Sequence, residues 1–164
     1  MSSIREFPHE HMGITLAHEI AHGLSEANYN TILDGFYNEG YATYVSSVLY
    51  PGYNEEEYLF KDKEWYLGCL GWIDRNRSKI LEDSVRAFKV LDEHHLFYFG
   101  GGNVNYPRIG YAIGYGYLKF LNEKYTIEEL CTFGKKESKN ESEFREFILG
   151  KKMSRSTGKK GVAK

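Results

Sequence analysis

No stretch of this chain stays apolar for 18 residues, so the sequence offers no membrane span. The first residues, Met1 to Pro8, lack the apolar core of a secretory signal, and a cytoplasmic setting is expected. Cysteine is scarce. Cys69 and Cys131 lie far apart and neither belongs to a C-x-x-C pair, so reduced thiols in a reducing compartment are expected. Alternating strand patterns of useful length are missing, apart from the short run Leu96-Phe97-Tyr98-Phe99, and no internal repeat stands out. Acidic residues are absent from the last fourteen positions, which hold six of the 21 basic residues. Residues 1–150 therefore carry fifteen basic residues against all 23 acids, a balance of -8, and the tail carries +6. An acidic body gives no support for nucleic-acid binding, and a basic tail is expected to lack fixed structure or to touch an acidic partner.

What the chain has is aromatic bulk and one sharp motif. Its 14 tyrosines and 10 phenylalanines bring apolar mass, and the tyrosines add polar tips suited to cores and wet clefts. A length of 164 residues allows one domain with a real core, expected over 1–150. The motif is His18-Glu19-Ile20-Ala21-His22, an H-E-x-x-H run. On a helix, residues four apart share a face, so His18 and His22 can grip one Zn²⁺ and Glu19 can take a proton from water beside it. Ile14, Leu16, Ala17, Ile20, Ala21 and Leu24 make this segment apolar, which predicts a buried helix. Buried helices seldom carry His, Glu and His without partners.

The rest reads as helices over about 11–27, 34–49, 54–67, 72–93, 107–124 and 126–133, with a last short helix to Leu149. Asn54 with Glu57, Thr126 with Glu129, and Asn140 with Glu143 have capping-box spacing. The stretch 135–141 is polar and reads as a linker. His94 and His95 would end the fourth helix and meet its C-terminal dipole. His9 and His11 precede the motif and could lie near the metal, though they read better as a surface pair, and Gly100-Gly101-Gly102 reads as a flexible connection. The expected fold class is mainly α, a compact helical bundle with little or no sheet.

A catalytic zinc usually takes three protein ligands. Glu39 lies 17 residues after His22, room enough to end one helix and bring a second beside it. A solvated carboxylate is the ordinary alternative for Glu39, and Asp34 competes nearby but fits better as the cap of the second helix. The fragment Asn38-Glu39-Gly40, with Ala42 and Tyr44, resembles the glutamate helix of gluzincin metallopeptidases. That resemblance implies Glu39 as third ligand to Zn²⁺, with Gly40 letting the two helices approach closely. Downstream, Pro107-Arg108-Ile109-Gly110-Tyr111-Ala112-Ile113-Gly114-Tyr115 resembles the P-R-x-G-Y-x-x-G-Y segment of a predicted zinc-dependent protease family of unknown function. The three blocks occur here in that family's order.

The resemblance implies zinc-dependent hydrolysis of peptide or protein substrates, with Glu19 as general base. Tyr111 and Arg108 could donate hydrogen bonds to the oxyanion; otherwise they pack the core or pair with a carboxylate. Gly110 and Gly114 offer a smooth face to a neighbouring helix. Gluzincins place a small sheet ahead of the zinc helix, and only seventeen residues precede His18 here. A zinc-stabilised helical binding module without turnover is the alternative.

Overall fold

The computed structural model describes residues 11–150. The basic tail at 151–164, and His9, lie outside the described residues. Among the described residues there are nine helices and no strand: α1 Met12–Leu24, α2 Ile32–Leu49, α3 Glu55–Tyr58, α4 Lys63–Arg75, α5 Arg77–Ser84, α6 Glu93–Phe99, α7 Ile109–Asn122, α8 Ile127–Phe133 and α9 Glu137–Leu149. The nearest approach to a sheet is one antiparallel bridge between Thr31 and Ala87. None of these helices is long and apolar enough to cross a membrane.

The centre of the molecule is α2 against α7. Both helices are buried on nearly all sides, α2 through residues such as Phe36, Tyr37 and Ala42, and α7 through Ile113, Tyr117 and Leu118. Two glycines set their distance. A Cβ on Gly40 would sit 2.3 Å from the Gly114 carbonyl, and one on Gly114 would sit 2.1 Å from the Phe36 oxygen. Gly114 thus gives the close approach its sequence position suggested. Gly40 serves the α2–α7 contact, whereas the sequence reading assigned it to the contact with the zinc helix.

Tyrosine tips tie the outer helices to this pair. Tyr117 on α7 donates to the Asn140 side chain at 2.7 Å, Tyr98 on α6 donates to Asp83 at 2.9 Å, and Tyr37 on α2 donates to the Leu130 carbonyl. These bonds let large rings be buried without stranding a hydroxyl. Asn140 is therefore an interior anchor of α9. It does not cap a late helix, and the expected linker at 135–141 is mostly the first turn of α9.

Several helix boundaries differ from the sequence reading for local reasons. Asp34 is the fourth member of a capping box led by Thr31, accepting from the Thr31 amide at 2.9 Å while its own amide donates to Thr31 Oγ1 at 3.3 Å. The Asn54–Glu57 box forms, yet α3 stops at Tyr58 because Phe60 turns left-handed at φ 53°. The expected long helix over 72–93 is broken twice. Asn76 donates to the Trp72 carbonyl at 2.7 Å, a side chain competing with the helix ladder. Arg86 to Phe88 then leave α5 to pair with Asn30 to Ile32. Leu96 to Phe99 are helical, so His94 and His95 stand at a helix start capped by Asp92, not at a helix end.

The apolar helix α1 is only half buried. Ile14, Ala17, His18 and Ala21 face α2, while Met12, Leu16, Ile20 and Leu24 are each more than half exposed. Its apolar residues occupy both faces of the helical wheel, and burial claims only the face carrying the small alanines.

Candidate metal centre and adjoining cleft

Three side chains from two helices converge. His18 and His22 stand one turn apart on α1, with their Nε2 atoms 3.1 Å apart. Each Nε2 lies 3.5 Å from Oε2 of Glu39 on α2. Asn38 helps fix that meeting, since its amide donates to the Asn28 carbonyl at 2.9 Å and accepts from Ser25 at 3.2 Å. These bonds hold the α1–α2 connection against α2 and set the register that puts Glu39 opposite the imidazoles.

The spacing suits a small cation. Ligands about 2.0–2.1 Å from a tetrahedral ion stand about 3.3–3.4 Å apart, close to all three separations here. The bonding state points the same way. Glu39 Oε2 is shielded from solvent and has no hydrogen-bond partner, and 3.5 Å contacts to the rings are ionic at best. Two Nε2 atoms face to face either share one proton or aim both lone pairs at a shared ion. Among the described residues this is the one group of three or more His, Cys, Asp or Glu side chains placed to hold a metal. Two imidazoles and a carboxylate with an open side are a zinc-type donor set. The Nδ1 atoms of both rings lack hydrogen-bond partners, so no second bond fixes their tautomers as it does in most zinc sites.

Charge at the site is strongly polarised. Burial pushes the Glu39 carboxyl up, but His18 and His22 outweigh it and hold the group down at about 2. His22 is raised by its contact with Glu39, against burial, with Glu19 adding to the effect. Glu39 is thus an anion across ordinary pH, the state a metal requires.

Through His18 the triad meets a cleft of about 1020 Å³. His18 and Glu19 line it together with Arg108 and Tyr111, and so do Phe60, in the turn after α3, and Trp65, in the first turn of α4. Glu19 is exposed here. The Tyr111 ring lies nearly parallel to that of His18 at 6.5 Å. Arg108 donates from Nη2 to the Tyr111 hydroxyl at 3.3 Å and stacks over its ring at 4.8 Å. Burial pushes the Tyr111 phenol up to about 12, with Glu39 adding and Arg108 opposing, so it keeps its proton as a donor. Arg108 is also one of three described non-glycine residues in left-handed conformation, at φ 63°.

All six residues singled out by the motifs, His18, Glu19, His22, Glu39, Arg108 and Tyr111, therefore belong to one neighbourhood. Tyr115 does not. It is buried toward Tyr44 and Lys119 and belongs to the core. His11, read from sequence as a surface residue, lines the cleft beside Tyr53 and Phe60. Phe60 and Trp65 carried no signal in sequence, because nothing short of the fold brings their turn opposite α1. Comparison with family profiles, curated proteins and solved structures gave no match, so the reading of this site stands on its own geometry.

Proposed function

We propose that this protein is a cytoplasmic zinc metallopeptidase of gluzincin type. The observation that carries the reading is the triangle of His18 Nε2, His22 Nε2 and Glu39 Oε2 at 3.1 and 3.5 Å, with Glu19 beside it in an open cleft. His18, His22 and Glu39 would hold Zn²⁺, which supplies Lewis acidity toward a carbonyl and lowers the pKa of water. Glu19 accepts a proton from the attacking water and returns it to the leaving amine. The Tyr111 hydroxyl and the Arg108 guanidinium donate to the oxygen that gains charge as the amide carbon becomes tetrahedral. Arg108 already donates to the Tyr111 oxygen, and the neighbouring Glu39 helps the phenol keep the proton it would donate.

One observation favours a second reading. No strand stands beside α1 among the described residues, so an extended peptide has no sheet edge to pair with there. On that reading the same three ligands clamp α1 to α2 in a zinc-stabilised binding module without turnover. Glu19→Gln separates the two. The variant should keep full zinc content and lose peptide hydrolysis about 10²–10⁴-fold. Undiminished hydrolysis in Glu19→Gln would exclude Glu19 as the base. No chelator-sensitive hydrolysis in the parent protein, with one zinc bound, would favour the clamp.

A further inference from the structure

Opposite the metal triad, the cleft is closed by the turn between α3 and α4. Here the Lys61 amide donates to the Glu56 carbonyl and the Phe60 amide to the Glu57 carbonyl, both at 3.0 Å. These two bonds define a Schellman motif with Phe60 in its left-handed position, at φ 53°. That seat normally belongs to glycine, since a Cβ there costs about 1–2 kcal/mol. Burial does not compensate, because Phe60 is 40% exposed. The ring instead lines the cleft, edge-on to His11 at 6.2 Å.

Most polar groups of this wall are occupied, the exception being the Trp65 indole N–H, which is shielded from solvent without a hydrogen-bond partner. Glu57 accepts from the Asn54 amide at 2.7 Å, Asp62 accepts from the Trp65 amide at 2.7 Å, and the Lys61 ammonium sits over the Trp65 ring at 5.3 Å. Beside these paired side chains, the rings of Phe60 and Trp65 supply the aromatic surface of the cleft. We infer that Phe60 and Trp65 form a subsite that receives a bulky apolar side chain of the peptide lying across His18 and Glu19. The inference rests on the peptidase reading for the nature of the occupant. A strained residue with an exposed ring in a ligand cleft is the pattern expected where conformational cost is retained for binding.

Equilibrium binding tests this without turnover or metal. In full-length Glu19→Gln with Trp72→Phe, Trp65 is the only indole. Its fluorescence is titrated, with chelator present, with blocked alanine pentapeptides carrying phenylalanine, glycine or glutamate at the centre. The phenylalanine peptide should bind about tenfold or more tightly than the other two. Phe60→Gly should erase that preference while leaving the melting temperature unchanged or higher, and Phe60→Leu should retain part of it. Equal affinities for the three peptides would overturn the inference. So would a preference that survives Phe60→Gly, or a Phe60→Gly protein that is destabilised or unfolded, since the ring would then be structural. Failure to bind zinc or cleave peptides, measured separately, would remove the peptidase reading and leave this preference measurable.

Discussion

Two carboxylates divide this molecule into a closed region and an open one. Asp83 on α5 is 2% exposed and accepts from Lys79 Nζ at 2.6 Å, Arg86 Nε at 3.0 Å and Tyr98 OH at 2.9 Å. Burial raises its carboxyl, and Lys79, Tyr98 and Arg86 more than reverse that. Glu39 also sits among potential cations and is also held low. Yet its Oε2 has no hydrogen-bond partner, its imidazole neighbours stand off at 3.5 Å, and one of them, His18, lines a cleft. Asp83 is satisfied by protein donors and knits α5 to α6. Glu39 has geometry without satisfaction. A polarised carboxylate is therefore no sign of function by itself; the unmade bonds and the open side distinguish the two.

Substitution at both positions should pull these roles apart. The largest effect is expected on zinc affinity. Glu39→Gln should weaken it by more than about a hundredfold, beyond what loss of a supporting residue costs, while Asp83→Asn should leave it unchanged. Competition against a chromophoric chelator measures both, and equal affinities in Glu39→Gln and the parent protein would break the assignment of Glu39 as ligand. The next effect runs the other way. Asp83→Asn should cost about 1–3 kcal/mol in urea unfolding of the metal-free protein, because three donors lose a charged acceptor. Glu39→Gln should also lose stability there, through the contact with His18 and His22 that holds its carboxyl down, but without stranding a hydrogen-bond donor as Asp83→Asn does.

The same contrast explains what sequence could and could not convey. Glu39 was singled out by the family resemblance, and the 17-residue gap merely allowed it, whereas helical spacing placed His18 and His22 on one face, because that follows from the repeat of the backbone. Gly114 was legible as a contact point for the same reason. The burial of α1 was not, since composition shows how many apolar residues a helix has but not which face meets a neighbour. The break of the 72–93 segment depends on one side chain, Asn76, sharing the Trp72 carbonyl with its own backbone amide, and on a bridge to residues far earlier in the chain. The aromatic wall of the cleft was hidden altogether, because its key residue occupies a conformation that sequence statistics reserve for glycine.

The smallest expected effect is a change of slope with pH. In the metal-free protein His22 is raised above its ordinary 6.5, so its contact with Glu39 contributes stability that is complete below 6.5 and is lost as pH rises through the raised value. Glu39 is lowered from 4.5 to about 2, so its contribution is present above 4.5 and is lost as pH falls toward 2. Stability from this pair should therefore be greatest between about 4.5 and 6.5 and decline on the alkaline side. Zinc should reverse that decline, because it binds neutral imidazole and competes with the proton on His22. Urea unfolding at pH 5.5 and pH 8, with chelator and then with zinc, should give slopes of opposite sign, and Glu39→Gln should flatten both. Asp83→Asn should preserve both slopes on a lower baseline, since no histidine of the triad touches it. Parallel slopes with and without zinc would mean that the metal does not meet His22, and the contrast between the two carboxylates would lose its functional half.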